Sequence, residues 1–367
     1  MLEKSKLSVT SLDFYRRILD LLTLSILLLA FAHGWAQAAD GPEGVLVVES
    51  LLMEPDGSII RSLAGFSVNS AAWSPDSQHI ALAGSDVFVV KYDGSDLTNL
   101  TNQGARCSGV SWSPDGSRLA FLSEMTGDWD VYVIDSDGQG LTNLSNHPAK
   151  DVNPTWSPDG QRLAFGSKRD GQMDIYLVDA DGGNLKNLTN HPASDRSSAW
   201  SPTDSSQLAF ISDRNGDDAL YLIDPDEQDT ALLYQAPPRP DYGGPVWSPD
   251  GSQILLLLDV AMTHTYVIDV ASGAARKITG WFVDNSLCWS PDGQYIAFAR
   301  VFFGPGPEDV KRNITGTYIM RSNGGGLTRI SPTRAFVLDW GMPPSSHSID
   351  TLHRLPTLWG QIKSEAQ

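Results

Sequence analysis

Four aspartates in this 367-residue chain recur at nearly one distance from a tryptophan. Asp151, Asp195 and Asp284 each lie five residues before one, and Asp241 lies six before another. Arg106, six residues before Trp112, holds the corresponding place in its own segment. Carboxylates repeated at one step of a regular pattern are carried to the same end of the same element each time. A ring of four could hold a cation, a peptide amine or basic side chains, and Arg106 would extend it with the opposite charge. The competing reading is local: each aspartate caps its own loop by accepting backbone N–H groups, as Asx turns do.

Other chemistry-bearing groups are weaker. His147 and His191 recur in Asn-His-Pro, but no ligand-spaced cluster accompanies them as a metal pair would need. Asp135-Ser-Asp-Gly138 and Asp179-Ala-Asp-Gly182 resemble calcium loops in composition, yet lack the further oxygens and the distal Glu. Asp-Gly is also what a tight hairpin requires. Asn-x-Ser/Thr occurs at Asn99, Asn143, Asn187 and Asn313, and the first three share one repeat position, so the pattern follows from the repeat. Gly-x-Ser-x-Gly, His-Glu-x-x-His and phosphate-loop motifs do not occur. The expectation is therefore no catalytic residue, no metal and no cofactor, with Asp151, Asp195, Asp241, Asp284 and Arg106 as the binding candidates.

The elements that carry these residues follow from Trp-Ser-Pro, which begins at Trp73, Trp112, Trp156, Trp200, Trp247 and Trp289 with spacings of 39, 44, 44, 47 and 42 residues. Trp340 lies 51 residues further on and keeps only the aromatic. Such a period marks a repeat architecture. Between Trp156 and Trp200, strand-like runs (Arg162–Ser167, Asp174–Asp179, Asn184–Thr189) alternate with turn signals, and the next tryptophan strand makes four. In Ser-Pro-Asp-Gly, Pro presets φ and Gly supplies the positive φ that closes the turn. The large tryptophan ring suits the space between neighbouring sheets. Four-stranded sheets repeated radially make an all-β propeller. Seven three-strand stretches each precede one tryptophan, which predicts seven blades. Six is the alternative, because the stretch at 45–63 is the weakest copy. The ring would close by pairing the Trp340 strand with that first stretch, leaving no open edge.

At 41% hydrophobic and 19% charged residues the chain reads as globular. Residues 1–38 differ: Lys4, Lys6, Arg16 and Arg17 precede an apolar run from Ile18 to Ala32, and Ala36-Gln-Ala38 offers a cleavage site. This is a secretory leader pattern, with an uncleaved anchor as the alternative. The expected organisation is a signal peptide at 1–38, a propeller at 41–344 and a tail at 345–367. A net charge of −18 argues against nucleic acid and anionic membrane as partners. Cys107 and Cys288 fall in non-adjacent repeats, which predicts two buried free thiols rather than a disulfide.

Trp156-Ser-Pro-Asp-Gly160, Leu163-Ala-Phe165, Asp174-Ile-Tyr176 and Leu188-Thr189 recur in order as Trp112-Ser-Pro-Asp-Gly116, Leu119-Ala-Phe121, Asp130-Val-Tyr132 and Leu144-Ser145. On these motifs, over roughly 41–340, the chain resembles the TolB-like, WD-repeat-like propeller family of exported bacterial proteins. The resemblance implies the fold and an envelope location. Two turns depart from the pattern: Trp73-Ser-Pro-Asp-Ser77 lacks the glycine, and Trp200-Ser-Pro-Thr-Asp204 is altered. Similar propellers accompany α/β-hydrolase domains, and the segment after Trp340 is too short to be one. The resulting expectation is a monomeric, periplasmic or secreted scaffold that binds a protein or peptide without membrane insertion. The rival is a propeller enzyme, or a small-ligand or metal binder, that uses the central channel.

Overall fold

A computed structural model describes residues 42–48, 51–62, 67–235, 241–259, 263–279, 283–301, 315–332 and 337–342. The leader at 1–38, the tail at 345–367 and Asn313 lie outside the described residues. One repeat unit consists of Asp151–Trp156, Arg162–Ser167, Asp174–Asp179 and Lys186–Asn187, paired antiparallel in that order. Its two middle strands are buried almost throughout, because a sheet stacks on each face. That is why they read as continuous apolar runs rather than as alternation. The outermost strand is only two residues long and largely solvated.

Seven such sheets are described. Residues 70–99, 107–143, 151–187, 195–234, 241–277 and 283–331 each form one, and here they are blades 2 to 7. Blade 1 joins Val45–Val48, Leu51–Met53 and Ile59–Ser62 to the closing strand Val337–Gly341, with Leu46 opposite Trp340. The count is seven, and the ring closes as the sequence pattern predicts. No helix occurs among the described residues. In blade 6 the inner strand is split into Asp241–Tyr242 and Val246–Trp247, both paired to Gln253–Asp259.

Each apolar cluster is drawn from two adjacent blades; Val131 and Leu144 of blade 3, for example, pack with Leu163 and Phe165 of blade 4. The tryptophans wedge between the sheets. The indole N–H groups of Trp112, Trp247 and Trp289 donate to the carbonyls of Ala72, Ala199 and Val246 in the preceding blade at 3.0–3.1 Å. The Ser-Pro-Asp-Gly turn is a small hydrogen-bonded device. Ser113 and Ser157 Oγ donate to Asp115 and Asp159 at 2.6 Å, and the same hydroxyls accept from the Arg118 and Arg162 amides at 3.0 Å. Ser77 keeps this turn without glycine, at φ 54° and with its amide 2.8 Å from the Ser74 carbonyl. The Trp200 turn does differ, with Gln207 reaching back to the Asp204 carbonyl.

Asp339 sits in the joint between blades 1 and 2. Its carboxylate accepts from the Trp73 amide across the joint at 2.7 Å and from the Trp340 amide at 2.8 Å. Enclosure there outweighs both bonds and pushes its pKa up to about 6 from 3.8. The folded state therefore holds the proton more tightly than the unfolded chain. From this group, stability is greatest below about pH 4, falls by up to about 3 kcal/mol as pH rises to about 6, and then levels off. Melting curves of Asp339→Asn should lack that downward component. Parallel pH profiles for variant and parent between those limits would refute the assignment.

Candidate functional site

The start of each inner strand is tied to the preceding blade. The Cys107, Asp151 and Asp195 amides donate to the carbonyls of Gly84, Trp129 and Met173 at 2.7–2.8 Å. Strand register places Asp151 opposite Ser167, Asp195 opposite Ser212 and Asp284 opposite Arg300. In blade 3 the residue at this place is Cys107, opposite Ser123. Arg106 and Asp241 stand one residue upstream of it. The side chains of Asp241 and Asp284 lie outside the described residues.

Asp151 and Asp195 are fully buried. Arg169 Nη2 reaches Asp151 at 3.3 Å, and Arg214 Nη2 reaches both Asp195 oxygens at 3.1 Å. Each guanidinium also covers a stacked aromatic pair. Arg169 lies 5.3 and 4.7 Å from Phe165 and Tyr176, and Arg214 lies 5.0 and 4.8 Å from Phe210 and Tyr221. Burial pushes the Asp151 carboxyl up, opposed by hydrogen bonds from Ser145 and Ser167 and by the Arg169 charge. These two carboxylates are members of a repeated Asp–Arg–aromatic stack rather than groups presented to solvent. In blade 7 the same aromatic pair, Phe298 and Tyr318, is covered by Arg300 at 5.0 Å from each ring. In blade 3 both charges are replaced: Cys107 stands for the aspartate, and Met125, packed on the Phe121–Tyr132 cluster, stands for the arginine. Arg106 is 70% exposed, lies over Trp129 and approaches Glu124 at 3.6 Å.

The remaining sequence candidates close their own loops. His147 and His191 Nδ1 accept from the Ala149 and Ala193 amides at 3.0 and 3.1 Å. Asp137 and Asp181 accept from the Gln139 and Gly183 amides at 2.9 Å, within hairpin turns. Asn99, Asn143 and Asn187 donate to Asp86, Asp130 and Asp174 while accepting loop amides. Both cysteines are free and buried, and burial raises the Cys107 thiol to about 11 and pushes the Cys288 thiol well above its ordinary range. Neither is poised as a thiolate nucleophile.

The channel wall comes from a feature the sequence reading missed. Three residues before Trp112, Trp156, Trp200 and Trp289, Gly109, Asn153, Ser197 and Ser286 take φ of 51–61°. The register of these four inner strands shifts there, as a β-bulge. The signal was available: that position holds only Ser, Gly or Asn in the six Trp-Ser-Pro units, the small residues that tolerate this conformation. A cavity of about 400 Å³ opens against Asn153, Ser197, Gly244, Val246, Ser286 and Leu287. Beside it the buried Ser198 hydroxyl has no hydrogen-bond partner among the described residues. Among those residues no group of three or more His, Cys, Asp or Glu side chains is arranged to hold a metal.

Comparison with known proteins agrees with the repeat. Residues 140–236 match the family model described as TolB beta propeller domain, and residues 57–86 match WD domain, G-beta repeat. Among solved structures, TolB from Acinetobacter baumannii is 21% identical, with a TM-score of 0.55 over 77% of this chain and 69% of that one. A Mycobacterium tuberculosis puromycin-hydrolyzing peptidase is 14% identical, with a TM-score of 0.62 over 83% of this chain and 55% of that one. Oligogalacturonate lyase from Vibrio parahaemolyticus is 13% identical, with a TM-score of 0.59 over 79% and 85%. At such identities the shared property is the propeller fold. Curated proteins yield no sequence match.

Proposed function

We propose that this TolB-like propeller is an exported, monomeric, non-enzymatic scaffold that binds a protein or peptide over the face carrying the loops before the tryptophan strands. The observation that carries this reading is the channel wall. Bulged Asn153, Ser197 and Ser286, together with Gly244, offer small, uncharged hydrogen-bonding groups to an inserted segment, with the unpartnered Ser198 hydroxyl beside them. Such a lining suits recognition of a main chain rather than proton transfer, which needs a titrating group near the operating pH. The leader pattern at 1–38 and the likeness to TolB support export. The net charge of −18 favours a basic partner over nucleic acid or an anionic membrane.

Because Asp151 and Asp195 are buried ion-pair members, the test uses exposed loop charges instead. Purified mature protein should enrich one partner from envelope extract and bind it after reconstitution from pure components. The folded double variant Arg106→Glu/Lys150→Glu, which turns two like charges into attractive ones, should bind such a basic partner about tenfold more tightly. Identical binding by both proteins, or no enriched partner, would overturn the reading.

A further inference from the structure

At the other end of the blades, the joint between blades 2 and 3 lacks an arginine that the next two joints possess. The first residue of the second strand is Arg118 in blade 3 and Arg162 in blade 4, each with its amide bonded to the Ser-Pro serine hydroxyl. The Arg118 guanidinium lies 5.1 Å from the ring of Trp156 in blade 4 and donates to the carbonyls of Ala180 at 3.0 Å and Gly160 at 3.2 Å. Arg162 lies 5.4 Å from the ring of Trp200 in blade 5. In blade 2 the residue at this place is His79, whose amide makes the same bond to Ser74 Oγ. Its side chain is too short to repeat the reach.

The receiving parts are nevertheless present in blade 3. Trp112, Gly116 and Ser136 stand where Trp156, Gly160 and Ala180 stand in blade 4, and the Ser136 amide bonds the Ser117 carbonyl just as Ala180 bonds Gln161. All three line a cavity of about 570 Å³, together with His79, Asp76 and Asp115. Trp112 is only partly buried, whereas the other six repeat tryptophans are at most 8% exposed. Hydrogen bonds from Ser113 and Ser117 hold Asp115 down at about 2, and Asp76 is also lowered despite partial burial, so both carboxylates are ionised at neutral pH.

We infer that this cavity is an arginine socket: it takes the guanidinium of an arginine side chain from a basic protein segment, stacked on Trp112 beside the Gly116 and Ser136 carbonyls. The chain itself supplies the precedent at the next two joints, where its own arginines occupy the equivalent place. Asp76 and Asp115 add a charge that a neutral planar group cannot exploit, and a guanidinium over an indole is attracted by the ring face. The inference goes beyond the function proposed above and does not depend on which partner uses the opposite face.

The test is a titration of the mature protein with a short glycine-flanked peptide carrying one arginine, read from the Trp112 indole N–H resonance. A matched peptide carries citrulline, the neutral isostere. The arginine peptide should shift that resonance and bind about tenfold more tightly than the citrulline peptide. His79→Arg, which fills the socket from within, should abolish the response and raise the melting temperature, so loss of folding cannot mimic the result. Equal binding of both peptides, no binding of either, or unchanged binding to His79→Arg would overturn the socket. The Arg106→Glu/Lys150→Glu variant should bind the arginine peptide normally, so the two proposals fail separately.

Discussion

Replacing Arg169 by Met is expected to cost about 3–5 kcal/mol, because it leaves the buried Asp151 carboxylate without its countercharge. Asp151 is fully enclosed, and its guanidinium partner is itself only 9% exposed. Water cannot replace what the substitution removes. The second half of the prediction comes from within the chain. Blade 3 fills the same two places with Cys107 and Met125, and packs them on Phe121 and Tyr132 as blade 4 packs Arg169 on Phe165 and Tyr176. The double variant Asp151→Cys/Arg169→Met should therefore recover to within about 1 kcal/mol of the parent, since replacing a buried ion pair by apolar groups of similar volume is often neutral. The single variant should also regain stability on acidification, because the stranded carboxyl can then take up a proton. Urea unfolding of parent, singles and double forms the cycle. A double variant whose loss equals the sum of the two singles would show that the pair is not a unit.

Gly341→Val should be at least as damaging, by roughly 3 kcal/mol or more, through overpacking where the closing strand of blade 1 packs against blade 2. A Cβ on Gly341 would lie 2.3 Å from Cδ2 and 2.5 Å from Cγ of Trp73. Trp73 is held in the buried cluster between blades 1 and 2, with its amide bound by Asp339. It has no direction in which to yield. Opening this joint would also expose the inner edge of blade 1, so unfolding should begin there. Trp73→Leu removes the ring that the new side chain strikes, and the pair Trp73→Leu/Gly341→Val should be more stable than additivity predicts. An unfolding midpoint for Gly341→Val equal to that of the parent would sink the argument.

The architecture was legible because its instructions are local. Trp-Ser-Pro-Asp-Gly specifies a turn through the geometry of Pro and Gly and a serine–aspartate bond within the same five residues. The apolar runs after it specify strands buried on both faces. Ring closure was legible because Trp340 repeats the wedge and the stretch at 45–63 lacks a tryptophan strand of its own. The fate of the carboxylates was not legible. Asp151 and Asp195 meet arginines 18 and 19 residues downstream, across a strand and a loop. Nothing in their shared distance from a tryptophan reveals that. Counting positions even misassigned the step in blade 3, where Cys107 rather than Arg106 matches Asp151, because pairing with the second strand defines the register. The bulge residues are an intermediate case: small residues recur visibly three before each Trp-Ser-Pro, but their meaning needs the register shift.

By itself, then, the sequence determined a repeat, its turn chemistry, its strand pattern, its free thiols and its acidic charge, all properties written within one unit. Only the tertiary structure decided what each unit's side chains meet. Asp151 and Asp195, two of the four aspartates expected at a channel mouth, became members of buried ion pairs, and His79 became conspicuous only beside Arg118 and Arg162. The physical reason is that strand register within a blade and packing between blades, not distance along the chain, decide which side chains meet. Trp112 finds Ala72, Arg118 finds Gly160, and Asp339 finds Trp73 across 40, 42 and 266 residues of chain.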